Sequence, residues 1–157
     1  MTNNDILKSL RYTLNANEKT MAEIFALAGC AIEEYTLAAI MRKDDNVAFV
    51  ECRDDQLRFF LDGLIIYKRG KRENAEPAGR EPAQALSNNE ILKKLRVAFE
   101  LKSEDIVAML KAVDFDISMS EVNALFRKPG HKNYVVCQNQ LLRNFLRALP
   151  KSKKGAI

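Results

Sequence analysis

Asn3-Asn4-Asp5-Ile6-Leu7-Lys8-Ser9-Leu10-Arg11 recurs as Asn88-Asn89-Glu90-Ile91-Leu92-Lys93-Lys94-Leu95-Arg96, 85 positions further along the chain. The offset then holds without a gap. It pairs Ile32 with Ile117, Arg42-Lys43 with Arg127-Lys128, Cys52 with Cys137, Leu57-Arg58 with Leu142-Arg143, and Phe60-Leu61 with Phe145-Leu146. An ungapped match of that length marks two copies of one supersecondary unit. Within each copy the apolar residues recur at helical spacing: Ile6, Leu7, Leu10 and Leu14 share a face, as do Ile91, Leu92, Leu95 and Phe99.

The expected fold is all-α: two tandem repeats of about four helices each, related by a pseudo-twofold axis and sharing one core. The first repeat covers 1–67 and the second 87–150. Residues 68–86 read as a basic, Pro- and Gly-containing linker, mobile and solvated. The tail 151–157 is basic and expected to be disordered. In each repeat the spacing predicts helices over 3–14, 17–28 and 35–43, matched by 103–113 and 119–128 in the second copy. A last helix opens at Asp54 or Asn139. Ser87 to Glu90 and Ser118 to Glu121 read as capping boxes, and the paired asparagines, Ser103, Asp54 and Asn139 as helix-start signals. Phe49 to Cys52 and Tyr134 to Cys137 favour an extended backbone just before the last helix, and an edge-to-edge pairing between the copies is one arrangement they allow.

Composition restricts the class. The 157 residues are 47% hydrophobic and 29% charged, a globular mixture rather than a disordered one. The most apolar region, Met21 to Met41, is interrupted by Glu23, Glu33 and Glu34, which argues against a membrane span. Nothing at the N-terminus reads as a signal peptide, so a cytoplasmic location is expected. The net charge of +4 is unevenly placed. Residues 1–67 carry 7 basic and 11 acidic side chains, whereas 87–150 carry 10 and 7, with Lys151, Lys153 and Lys154 following. A polyanionic partner would therefore favour the C-terminal half.

Catalytic and metal chemistry find little support. The one histidine, His131, sits in a polar loop, and no nucleophile elbow or phosphate-cradling glycine loop is present. Cys30, Cys52 and Cys137 form no CxxC pair, so neither a zinc site nor a resident cofactor is expected. All three read as packing residues. A disulfide between Cys52 and Cys137 is the sharper alternative, disfavoured by a reducing compartment. Asp44-Asp45-Asn46 opens like a calcium loop but lacks the turn glycine and closing glutamate.

Nucleic-acid binding has more to build on. The second and third helices of each repeat outline a helix-turn-helix, with Arg-Lys expected at the end of the third. Arg127, Lys128, Lys132 and Tyr134, with Arg96 and Lys93, combine basic and aromatic side chains that grip phosphates. Their partners across the repeat include Arg11, Arg42 and Lys43. Arg58 and Arg143 are a further invariant pair, and all four core-flanking arginines (11, 58, 96 and 143) would line an anion groove if the repeat axis gathered them. The opposing reading is an ordinary helical hairpin with solvated ends and flank arginines that bond helix termini.

The doubled Asn-Asn-(Asp/Glu)-Ile-Leu-Lys-x-Leu-Arg motif, the run Phe59-Phe60-Leu61-Asp62-Gly63-Leu64-Ile65 and the Arg-Lys loop resemble the YehS-like family. That resemblance covers nearly the whole chain apart from linker and tail. It implies a tandem all-α protein in a bacterial cytoplasm, and no activity. The functional expectation is a non-enzymatic binding or regulatory protein whose basic second repeat contacts nucleic acid. The alternative is a protein-interaction or self-association module that uses an apolar face or the groove between repeats.

Overall fold

The computed structural model describes residues 1–71 and 85–152, so most of the expected linker and tail lie outside the described residues. The first repeat contains α1 (Asn3–Leu14), α2 (Glu18–Leu27), α3 (Glu34–Ile40) and α4 (Asp54–Arg69). The second contains α5 (Asn88–Ala98), α6 (Ser103–Lys111), α7 (Met119–Leu125) and α8 (Asn139–Ala148), followed by a 3-10 turn over Leu149–Lys151. Each helix of the second repeat starts 85 residues after its counterpart. One contiguous core joins both repeats, from Ile6, Leu7, Phe25 and Phe60 to Leu92, Leu110, Leu142 and Phe145. The all-α tandem architecture is the one the repeated motif predicts.

The paired asparagines do something other than start helices. Thr2 and Ser87 are the N-caps, accepting from the Asp5 and Glu90 amides. The buried Asn4 side chain reaches the segment before α4. It donates to the carbonyls of Ile40 and Val50, both at 2.9 Å, and accepts from the Cys52 amide at 2.8 Å. Asn89 repeats this on Leu125, Val135 and Cys137 at 3.0, 2.8 and 2.8 Å. Bonding an amide N–H and the carbonyl two residues before it is what a neighbouring strand would do. The side-chain amide thus takes that neighbour's place, and no pairing of the two extended segments is present among the described residues. Asn3 and Asn88 complete the clasp, donating to the Cys52 and Cys137 carbonyls.

Other start signals shift for the same reason. Asp54 and Asn139 accept from Asn3 and Asn88 at 2.7 and 2.8 Å, leaving Arg53 and Gln138 as the N-caps. Ser103 is the first helical residue of α6 rather than its cap, and its hydroxyl donates to Asn123. Glu90 does not close its capping box, because its carboxylate is held by Arg58.

The repeats differ at their last helices. Pro150 lacks an amide and clashes with the preceding turn, so α8 gives way to the 3-10 turn there, whereas α4 continues to Arg69, into the stretch expected to be linker. Gly63 of α4 lies against α2 so closely that a Cβ there would collide with the carbonyl of Ile24. Its counterpart is Ala148, and beside it Leu101, Met109 and Ala112 border a cleft of about 380 Å³ between α6 and the end of α8.

The two repeats are joined chiefly by α4 and α5. Asp54 accepts from the Leu86 amide, Arg58 pairs with Glu90, and Asp62 pairs with Lys94, a constant separation of 32 positions. The two helices therefore run parallel. Farther along, Arg69 donates to the Val97 carbonyl at 3.0 Å and Lys68 covers the Phe99 ring.

Candidate functional site

The loop between α7 and α8 carries most of the expected site. α7 ends at Leu125, so Arg127 and Lys128 lie beyond the helix instead of terminating it. The exposed residues of α7 are Met119, Ser120, Glu121 and Asn123, and α3 exposes Glu34 and Tyr35. A seven-residue helix with a carboxylate and no cation on its outer face is a poor major-groove reader. The third helices are short because the asparagine clasp needs the carbonyls at their ends.

Past α7 the chain turns tightly. Lys128 accepts from the His131 amide at 3.0 Å, across Gly130, whose φ of +93° suits glycine. His131 Nδ1 accepts from the Asn133 amide, and its carbonyl accepts from Tyr134. Val135 then bonds the Ala124 carbonyl, returning the loop to its origin. Arg127, Lys128 and Lys132 are exposed, and Tyr134 is half-buried. Lys93 stands one helical turn beyond Asn89, which holds both ends of this loop. Among the described residues, Lys93, Arg127, Lys128 and Lys132 have no carboxylate partner.

The equivalent loop of the first repeat is occupied differently. Lys8 donates to the Arg42 carbonyl at 2.6 Å and lies 5.7 Å from the centre of the Phe49 ring. Arg42 and Lys43 are followed by Asp44 and Asp45, and Val47 stands where the second repeat has Lys132. One loop concentrates positive charge and the other balances it.

The core-flanking arginines do not gather into one groove. Arg11 and Arg96 donate to the carbonyls of Ala16 and Leu101, just past their own helices, at 3.2 and 3.1 Å. Arg96 also bonds Ser103 and stacks 4.4 Å from the Phe126 ring centre, so its cation is already engaged. Arg58 is buried between the repeats, with Glu90 holding its guanidinium in the charged form. Arg143 is exposed on α8 and makes no ion pair among the described residues. Sequence reading missed the asparagine clasp and the Arg58–Glu90 pair. The signal for the latter was a buried stripe carrying opposite charges at Arg58 and Glu90.

The cysteines are free. Burial pushes the Cys52 thiol up to about 12 and the Cys137 thiol up to about 11, so neither is a nucleophile near neutrality. Among the described residues no cluster of His, Cys, Asp or Glu is arranged to hold a metal ion, and no helix is long and apolar enough to cross a membrane.

These features define a class: a tandem-repeat, all-α protein in which side-chain amides clasp each repeat and a parallel helix pair joins the two. A family model described as "Protein of unknown function (DUF1456)" matches the chain twice, over residues 3–70 and 88–155, and the chain belongs to that family. It is 47% identical over 149 residues to "Uncharacterized protein YehS" of Escherichia coli strain K12, covering 95% of this chain and 94% of the relative. No solved structure matches.

Proposed function

We propose that the protein acts by binding rather than catalysis, in the cytoplasm, and that its second repeat associates with nucleic acid through the loop between α7 and α8. The observation that carries this reading is the contrast between the loops: Lys93, Arg127, Lys128 and Lys132 form no ion pair among the described residues, where the first-repeat loop has two aspartates and a valine. Such a cluster neutralises phosphates and releases their counterions. Tyr134 offers a ring edge for stacking against an unpaired base. Contact is made by the loop and not by a recognition helix, because α7 presents Glu121. This mode favours backbone binding with little sequence preference. The buried, unreactive thiols fit a protein without covalent chemistry in a reducing compartment.

Anisotropy of a fluorescein-labelled single-stranded oligonucleotide tests the reading. With four phosphate contacts to a single strand, affinity is expected to fall roughly fiftyfold between about 50 and 200 mM salt. Changing Arg127, Lys128 and Lys132 together to Gln should reduce the log–log salt slope by about two. The paired change Arg42→Gln and Lys43→Gln should leave it nearly unaltered. Absence of binding at low salt, or indifference to the triple change, overturns the reading.

A further inference from the structure

The α4–α5 seam has a mate that is built from equivalent positions and stands open. Under the repeat symmetry, α1 should lie on α8 as α5 lies on α4. Met1, Asp5, Ser9 and Tyr12 then replace Leu86, Glu90, Lys94 and Val97, while Arg143 and Arg147 replace Arg58 and Asp62. α1 does approach α8 and the 3-10 turn, but between them lies a cleft of about 530 Å³ whose lining includes Met1, Ser9, Tyr12, Arg143, Leu146 and Arg147.

The substitutions account for the opening. Asp5 is one methylene shorter than Glu90, and it turns back to its own helix start, accepting from the Thr2 amide at 3.1 Å. That bond is the main cause holding its carboxyl below the usual carboxylate range. Ser9 in place of Lys94 and Arg147 in place of Asp62 delete the second ion pair and leave a cation. Tyr12, 77% exposed, stands where the second repeat has the smaller Val97, itself exposed. Arg143 therefore lacks the carboxylate that its twin Arg58 holds at 2.9 Å. Arg147 spends one N–H on the Val113 carbonyl and is otherwise exposed.

We propose that this cleft docks an acidic amphipathic helix of a partner protein, running parallel to α8 with two carboxylates one turn apart against Arg143 and Arg147. The closed seam supplies the charge pattern and not the seat, which α1 holds on α8: charged residues four apart on one helix meet residues four apart on the other. Arg143 and Arg147 are separated by about 6 Å along the α8 axis, the rise of four residues, which matches an i, i+4 pair on the occupant. The cations Arg143, Arg147 and Lys151 lie along one wall, and the opposite wall carries the apolar side chains of Met1 and Tyr12. An amphipathic helix covers both walls, whereas a phosphate backbone would leave the apolar wall against water.

The test uses a labelled, hydrocarbon-stapled peptide with the sequence of residues 86–98, in which Lys94→Glu places carboxylates at both 90 and 94. Stapling is needed because so short a helix is marginal alone. The full chain should bind this peptide about tenfold more tightly than the unaltered peptide, and Arg143→Glu or Arg147→Glu should each weaken it by about tenfold. Arg143→Gln should give an intermediate loss, and circular dichroism should show all three variants folded, since both arginines are exposed. Equal affinity for the two peptides, or affinity indifferent to Arg143 and Arg147, overturns the proposal. So does displacement of the peptide by an oligonucleotide that depends on the same two arginines. A self-association in sedimentation that Arg143→Glu abolishes would assign the cleft to a second copy of this chain and overturn it as well.

Discussion

Two seams between the repeats use the same positions, and only one is closed. In the α4–α5 seam Arg58 meets Glu90, Asp62 meets Lys94, and the Leu86 amide meets Asp54. In the α1–α8 seam the corresponding pairs are Arg143 with Asp5 and Arg147 with Ser9. The core residues behind them hardly change: Leu61 and Leu146 are both buried. Apolar burial therefore brings both helix pairs near each other, and charge matching decides which pair is drawn shut. A perfect twofold would have closed both seams or neither. The departure from symmetry gives the molecule a distinct face.

The largest effect should come from breaking the closed seam. Arg58→Ala leaves the Glu90 carboxylate between the repeats without its partner and is expected to lower unfolding free energy by about 3 kcal/mol in urea denaturation. The same change at Arg143, sequence-equivalent but solvent-exposed, should fall within about 0.5 kcal/mol of the parent. Similar losses at the two sites would mean that the seams are alike. A smaller effect should come from closing the open seam. Ser9→Lys together with Arg147→Asp rebuilds the missing ion pair and should stabilise the chain by about 0.5 kcal/mol. Either change alone should bring no gain. A coupling near zero in this double-mutant cycle would show that something other than charge holds the cleft open.

Much of the fold was legible because the repeat offset is unbroken: helix order, the core stripes and the tandem organisation all follow from it. The functions of the asparagines were not. At a helix start, asparagine reads as a cap, and nothing local distinguishes that role from reaching a segment nearly fifty positions away. Asn4 and Asn89 can do so because their flanking Ile6 and Ile91 anchor the helix against the core, leaving the amide facing the loop. The ends of α3 and α7 were overestimated for the same reason, since the clasp takes their last carbonyls. At the candidate site, the exposed cations of the second repeat were visible in composition. The separate fates of Arg11, Arg58, Arg96 and Arg143 were not, because an arginine's role depends on the acid across the repeat axis. The signal that was present and unused is the exchange of Lys94 and Asp62 for Ser9 and Arg147 at equivalent positions.

The same comparison, applied to the loops, bears on function. If polyanion binding resides in the second repeat because its loop lost the acids of the first, then transplanting those acids should remove it. The decisive measurement is oligonucleotide anisotropy at low salt for a chain carrying Pro129→Asp, Gly130→Asp, His131→Asn and Lys132→Val, which gives the second loop the residues of the first. With the fold confirmed by circular dichroism, since Asp at the positive φ of Gly130 should lower the urea midpoint, binding and its salt dependence should both be lost. Binding that survives this exchange would contradict the account.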